Sequence, residues 1–231
     1  MSEIKLSKRL AAIAKLVPQS GGAADIGTDH GLIAVWLCLR GQERVIAADI
    51  NREPLEHARQ TAKEHACEEK ISFVLCNGLE SIDESAADGI IIAGMGGELI
   101  ADILAQAPWS KKKTLILQPM TKADELRKWL FESGYKITHE ELVFDGRLYE
   151  IITATGGEDL PYSPAEYLTG HHELIAGDPL FPQRLDGLTE KLRRAIAGLE
   201  SAAADQAERL HSQRELLDEL LKMQSGAGGE K

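Results

Sequence analysis

Two carboxylates bracket a glycine-containing segment near the start of the chain, Asp25-Ile26-Gly27-Thr28-Asp29-His30-Gly31. Apolar residues precede it and a helical pattern opening at Leu32 follows it, so the segment is a loop at the carboxyl end of a strand, where open α/β sheets bind ligands. Its glycines lack the GxGxxG arrangement that cradles a pyrophosphate, and Asp25 and Asp29 would repel phosphate from the helix N-terminus behind them. A cationic ligand without phosphate fits better. S-adenosyl-L-methionine carries a sulfonium and an ammonium, which makes Asp25, Gly27, Thr28, His30 and Gly31 candidate cofactor contacts. Gly27 and Gly31 would let the ligand approach the backbone. The alternative is a tight strand-to-helix turn whose aspartates cap the helix.

Further strand ends are expected on the same rim. Asp49 lies about 20 residues beyond the loop, the spacing at which an acidic residue accepts hydrogen bonds from ribose hydroxyls, and Ile50 follows it; Asp49 would equally open a helix ahead of Pro54. Asn77 and Gly78 close the third strand and offer an amide to an adenine edge, although Asn-Gly is also an ordinary turn. The fourth strand runs into Gly94-Met95-Gly96-Gly97, nearly free of side-chain bulk, which suits a backbone pressed against cofactor and substrate or a plain βα turn. The fifth ends in Gln118-Pro119-Met120.

The elements that must position these residues follow from hydrophobic period. Strands are expected at 23–27, 45–50, 71–75, 89–93 and 114–118, alternating with helices at 6–17, from Leu32, at 53–64, 98–105 and 123–132. Segments 135–144 and 147–155 then pair as a hairpin about Asp145-Gly146. This predicts an α/β, Rossmann-like, seven-stranded, mostly parallel sheet with helices on both faces over residues 1–157. Gly156, Gly157, Pro161 and Pro164 mark a boundary. Residues 158–231 read as a C-terminal α-helical domain, with one stripe of Leu185, Leu188, Leu192, Ile196 and Leu199 and another of Ala203, Ala207, Leu210, Leu217 and Leu221. A coiled-coil hairpin breaking near Ser201 is preferred to one long helix, with a flexible tail from Ser225.

The chain has 231 residues and a net charge of -11, which argues against coating nucleic acid or anionic membrane through bulk charge. Cys38, Cys67 and Cys76 have no paired spacing, so neither a disulfide framework nor a metal site is expected. No apolar run approaches the roughly 18 residues of a membrane span. These features fit a cytoplasmic protein, a monomer or weak homodimer.

The sequence resembles the class I S-adenosylmethionine methyltransferases, and within them the bacterial tRNA adenine-22 N1-methyltransferase family (TrmK). The resemblance rests on Lys5-Leu6-Ser7-Lys8-Arg9-Leu10, the loop from Asp25 to His30, Ile92-Ala93-Gly94-Met95-Gly96-Gly97, Leu115-Ile116-Leu117-Gln118-Pro119 and Tyr149-Glu150-Ile151, and spans residues 1 to 155. It implies methyl transfer from S-adenosyl-L-methionine to a ring nitrogen of one tRNA adenosine. Asn77 stands where an acidic residue is expected and Met120 where asparagine is expected.

Attack by a ring nitrogen that already has a lone pair needs positioning above all, with no metal or covalent nucleophile. A carboxylate that stabilises charge on the product base or takes a proton from its amine would help, and Asp29 is the candidate, the alternative being a helix cap. His30 orients the loop, and Tyr149 is a candidate stacking platform for a flipped base. Charge is acidic in both parts, with 18 basic against 23 acidic residues in 1–157 and 8 against 14 in 158–231. RNA contact therefore falls to local cations: Lys5, Lys8 and Arg9 at a helix start where the macrodipole disfavours them, and Arg52, Lys122 and Arg147 near strand ends. Gln118 and Pro119 complete the substrate-facing set. Lys111 to Lys113 read as a solvated turn on the opposite rim; the helical tail is suited to clasping RNA, to dimerising or to covering the sheet, and Arg193 and Arg194 put RNA contact ahead. Two other readings stay open: a methyltransferase acting on a small molecule or protein, and a non-catalytic RNA-binding or assembly module.

Overall fold

The computed structural model describes residues 4–201 and 206–227. The chain divides into two compact units, Met1–Leu160 and Pro161–Lys231. In the first, helix α1 (Lys8–Lys15) precedes strand β1 (Gly22–Ile26), and α2 (Leu32–Leu39), β2 (Arg44–Asp49), α3 (Arg52–Glu64), β3 (Ile71–Leu75), β4 (Gly89–Gly96), α4 (Gly97–Ala105), β5 (Thr114–Thr121) and α5 (Ala123–Glu132) follow. Strands β6 (Tyr135–Asp145) and β7 (Arg147–Gly156) close the unit as the expected hairpin. The sheet order is β3-β2-β1-β4-β5-β7-β6, with β7 alone running against its neighbours.

Covering both faces dictates the composition of the central strands. All five residues of β1 are buried, as are Ile90, Ile91 and Ile92 of β4 and Leu115, Ile116 and Leu117 of β5. Ile13, Ala14, Ile33, Val35 and Leu37 bring α1 and α2 into the core, and Ile100, Leu104, Leu126 and Leu130 bury α4 and α5. Chain order reverses between β1 and β4, so the connections leaving their carboxyl ends lead in opposite directions along the sheet, the place where open α/β sheets form a ligand crevice.

Two polar devices fix the outer elements. Asp145, at the tip of the β6–β7 hairpin, accepts the Arg9 backbone N–H at 3.1 Å. That N–H, a Ser7 hydroxyl bond and the Arg9 and Lys8 charges hold the Asp145 carboxyl below the usual range. This carboxylate at the N-terminus of α1 offsets the cations whose position there the macrodipole disfavours. On α5, the buried Arg127 donates to Glu140 on β6 and to Glu150 on β7, each at 2.7 Å. Burial would lower its pKa, but the two carboxylates outweigh that and keep the guanidinium charged.

Lys111 and Lys113 correct the expectation of a merely solvated turn. Lys113 is mostly buried and pairs with Asp88 at 3.8 Å, while the Lys111 ammonium lies 5.3 Å from the Tyr135 ring centre.

The second unit contains α6 (Pro164–Thr169), α7 (His172–Ile175), α8 (Phe181–Ser201) and α9 (Ala207–Ala227). Helices α8 and α9 run antiparallel, since Glu200 meets Arg214 and Asp186 meets Gln224. Leu185, Leu188, Leu192 and Ile196 are buried as their stripe predicts. On α9, Ala207 is exposed and Leu220, outside the expected stripe, is the buried contact. Ser225 to Ala227 continue α9 rather than opening a tail; Ala203 and residues 228–231 lie outside the described residues. Helix α6 opens on a capping box between Ser163 and Glu166 that two prolines in the sequence obscured.

Arg127→Leu should cost about 3 to 5 kcal/mol in denaturant unfolding, because it strands two carboxylates against an apolar helix face.

Candidate functional site

The 25–31 loop is folded back over the end of β2: the Gly27 and Thr28 N–H groups donate to the Ala48 carbonyl at 2.8 and 3.0 Å. Asp25 is buried and accepts the Thr28 hydroxyl at 2.7 Å. Burial pushes its carboxyl up to about 6; the Thr28 bond opposes this and the Asp49 charge adds to it. Thr28 is itself buried. Asp29 projects into solvent, its side chain 84% exposed, and lies 3.3 Å from His30. His30 adopts a left-handed conformation and stacks on His57 of α3, ring centres 5.0 Å apart.

The loop glycines are required by protein neighbours. A Cβ on Gly27 would stand 2.0 Å from the Met95 methyl, and one on left-handed Gly31 would stand 2.8 Å from Ala58 Cβ. Gly31 is therefore required by packing, which lets α2 begin against α3. Gly27 seats Met95, which ties the β1 loop to the end of β4.

Along the β2–β3 side, Asp49 is half-buried and accepts the Asn51 N–H at 2.7 Å. Ile50 and Leu75 are exposed apolar residues at adjacent strand ends, 61% and 49% accessible. Asn77 is exposed, but its amide N–H donates to Glu80 at 3.0 Å, and Gly78 leaves room for Ile103.

On the β4–β5 side the strands outrun their expected ends. Gly94, Met95 and Gly96 belong to β4, paired with β5 through register shifts, rather than to a flexible turn. A bulge keeps the pairing going while turning the strand. Gln118 and Pro119 are buried in β5, which corrects their expected place on the open substrate face. The Gln118 side-chain Oε1 accepts an N–H of the Arg9 guanidinium at 2.7 Å, and its Nε2 donates to the Pro119 backbone carbonyl at 2.7 Å. Arg9 thereby reaches Gly94 from the N-terminal helix. The Arg9 and Arg147 guanidiniums lie 5.3 and 4.8 Å from the centre of the Tyr149 ring, and Arg147 also contacts the exposed Met120 sulfur at 3.2 Å. Lys122, partly exposed, is ion-paired with Glu98 at 2.5 Å and Glu125 at 3.3 Å and so is not a free cation. Lys5, Lys8 and Arg52 are exposed.

Residues 6–152 match the family model described as a methyltransferase domain. Over 235 aligned residues the chain is 34% identical to the tRNA (adenine(22)-N(1))-methyltransferase of Bacillus subtilis, covering 96% of this chain and 98% of that one.

The chain belongs to the tRNA (adenine(22)-N(1))-methyltransferase family.

A crystal structure of the M1A22 tRNA methyltransferase TrmK of B. subtilis matches with a TM-score of 0.78 at 29% identity, over 97% of this chain and 98% of that one. A Streptococcus pneumoniae protein crystallised in complex with S-adenosyl-L-methionine matches with a TM-score of 0.82 at 30% identity, over 95% and 100%.

Among the described residues no three His, Cys, Asp or Glu side chains are grouped to hold a metal, and no helix is long and apolar enough to cross a membrane. All three cysteines are buried free thiols; burial, with Cys67 adding, pushes Cys38 up to about 11, far from a nucleophilic thiolate at neutral pH. No local spacing signals the Arg127 triad, the His57 stack or the Gln118–Arg9 bond, whose partners stand 109 positions apart.

The Asp25 shift carries a stability signature. A carboxyl raised from 3.8 to about 6 binds its proton more tightly folded than unfolded, so its contribution is full below pH 4 and lost as pH rises through 6. Relative to Asp25→Asn, the wild type should lose up to about 3 kcal/mol of unfolding free energy between pH 4 and pH 7. Parallel curves for the two proteins would mean that Asp25 titrates normally.

Proposed function

We propose that this protein methylates N1 of adenosine 22 in tRNA, with S-adenosyl-L-methionine as methyl donor. The observation that carries this is the end-to-end match to the B. subtilis enzyme of that activity, at 34% identity over 96% of the chain.

The crevice chemistry suits that donor. Asp49, half-buried at the end of β2, is assigned to the ribose hydroxyls, and exposed Ile50 and Leu75 to the adenine faces. Asn77 and Gly78 border the adenine edge. Asp25, with Thr28 fixing its carboxylate, meets the cationic methionine end, and Gly27, His30, Gly94, Met95 and Gly96 wall the methyl-bearing centre. Gly31 acts here through packing alone. When bound, the donor supplies a sulfonium methyl whose C–S bond breaks as the adenine N1 lone pair attacks, leaving S-adenosylhomocysteine and a cationic base.

The residues of this chain hold the reactants at attack distance, which is where the gain arises. Asp29 is assigned to the charge appearing on the base and to the proton of its amine. In open solvent its field is weak, and the RNA that covers it strengthens that field by excluding water. Tyr149 already carries two guanidiniums, so we assign it to aiming Arg9 and Arg147 at phosphates flanking the target rather than to stacking on the base. Lys5, Lys8 and Arg52 extend that landing site. Transfer is assigned to residues 1–157, and a second grip on the RNA to residues 158–231. The proposed setting is the cytoplasm, with the protein a monomer or weak homodimer.

Methyl-labelled donor should yield labelled 1-methyladenosine in an unmodified transcript carrying adenosine 22 and none in the same transcript carrying guanosine 22; label in both, or in neither, contradicts the proposal. Asp29→Ala should lose on the order of a hundredfold in turnover while keeping its tRNA affinity. Because a cationic ligand favours ionised Asp25, donor affinity measured by calorimetry should fall about tenfold from pH 7 to pH 5.

A further inference from the structure

Several cations of the Met1–Leu160 unit are held by carboxylates. Arg44 and Lys113 meet Asp88, Lys122 meets Glu98 and Glu125, Arg127 meets Glu140 and Glu150, and Lys128 meets Glu132. By contrast Lys8, Lys15 and Arg40 are exposed, and no carboxylate lies within ion-pair distance of them among the described residues. In a chain of net charge -11 they make a local cluster of positive charge, with Asp145 near Lys8 as an acidic neighbour.

Its geometry is linear. Helix α1 contains no acidic residue, and its first and last positions, Lys8 and Lys15, are seven residues apart. That spacing returns them to one face, roughly 10 Å from each other. Two adjoining depressions, of about 330 and 390 Å³, flank this face and share Lys15 as a wall. The small residues Ala11 and Ala12 line the first, with one carboxylate, Glu141, on its border. Trp36 and Arg40 line the second, where the guanidinium is held 4.1 Å over the indole. The floor there is fixed by Gln42, whose amide donates to the Pro18 and Gly21 carbonyls at 3.1 and 2.9 Å.

We propose that Lys8, Lys15 and Arg40 form a phosphate track along α1 that seats the backbone of the tRNA body, beginning beside Arg9 and leading away from the methyl-transfer rim. The proposal rests on the reading of this protein as a tRNA methyltransferase and extends it to a surface outside the crevice. Three cations strung along a helix match successive charges of a polymer, whereas a single small anion needs donors that converge on one point. Contacts of this kind set register and orientation without reading bases, which an enzyme that must find one adenosine in a folded RNA requires.

The test uses the full-length Lys15→Gln/Arg40→Gln variant, with tRNA binding measured across a salt series. The log-log slope should fall by about two, KM for tRNA should rise about tenfold with kcat within twofold, and affinity for S-adenosylmethionine should not change. The charge-preserving pair Lys15→Arg and Arg40→Lys should recover the wild-type slope. A short stem-loop carrying the acceptor adenosine should bind both proteins equally, since it does not reach the track. A wild-type slope in the neutralised variant overturns the proposal, as does a charge-dependent grip on polyglutamate that appears without any change for tRNA. The binding slopes are read without turnover, so a wild-type protein that binds tRNA along this face yet methylates none of it would overturn the proposed function and leave the track standing.

Discussion

A buried amide at the end of a central strand must find partners, and in this protein the Gln118 side-chain oxygen finds Arg9, 109 positions away in the sequence. Leaving such a group unsatisfied costs more than the bond itself contributes, so the contact sets where α1 lies. Asp145 makes the same demand from the hairpin tip by accepting the Arg9 backbone N–H. One arginine thus joins α1, β5 and the β6–β7 hairpin, and its guanidinium emerges beside Gly94 and Tyr149 at the mouth of the crevice. The far side of the hairpin is fixed by Arg127, whose two buried carboxylates hold β6 and β7 against α5. Placement of the substrate-facing cations is in this way a by-product of satisfying buried polar groups.

The same accounting explains how an acidic protein can engage a polyanion. Several cations are consumed by structure, Lys122 and Lys113 among them, and contribute little field beyond their carboxylate partners. Others are unpaired, and those on and beside α1, Lys8, Lys15 and Arg40, stand close enough together for long-range repulsion from net charge to be overcome within a Debye length of about 8 Å. Binding of this kind depends on salt and is confined to one face.

Much of the architecture was legible because a parallel sheet covered on both faces writes continuous apolar strands between amphipathic helices. Helix α5 and strand β3 appear at their expected bounds. The end of β4 did not, because a bulged strand of glycines and a methionine has the composition of a turn. The loop of Asp25 and Asp29 was visible from its carboxylates, while the duties of Gly27 and Gly31 depend on Met95 and Ala58, which no local spacing discloses. Gln118 read as a rim residue because strand ends are usually exposed; its burial follows from an arginine 109 positions away. Lys122 looked free for the same reason, its neutralisation depending on Glu98 across the α4–α5 pair.

The dependence of the site on the Arg9–Gln118 contact is measured most directly by a double-mutant cycle of Arg9→Ala and Gln118→Ala, read in kcat for methyl transfer and in unfolding free energy. If one contact builds the rim, either single substitution should impair transfer nearly as much as both together, with a coupling energy above about 1 kcal/mol in each readout. Additive losses would contradict this and would mean that Arg9 meets the RNA independently of the buried amide.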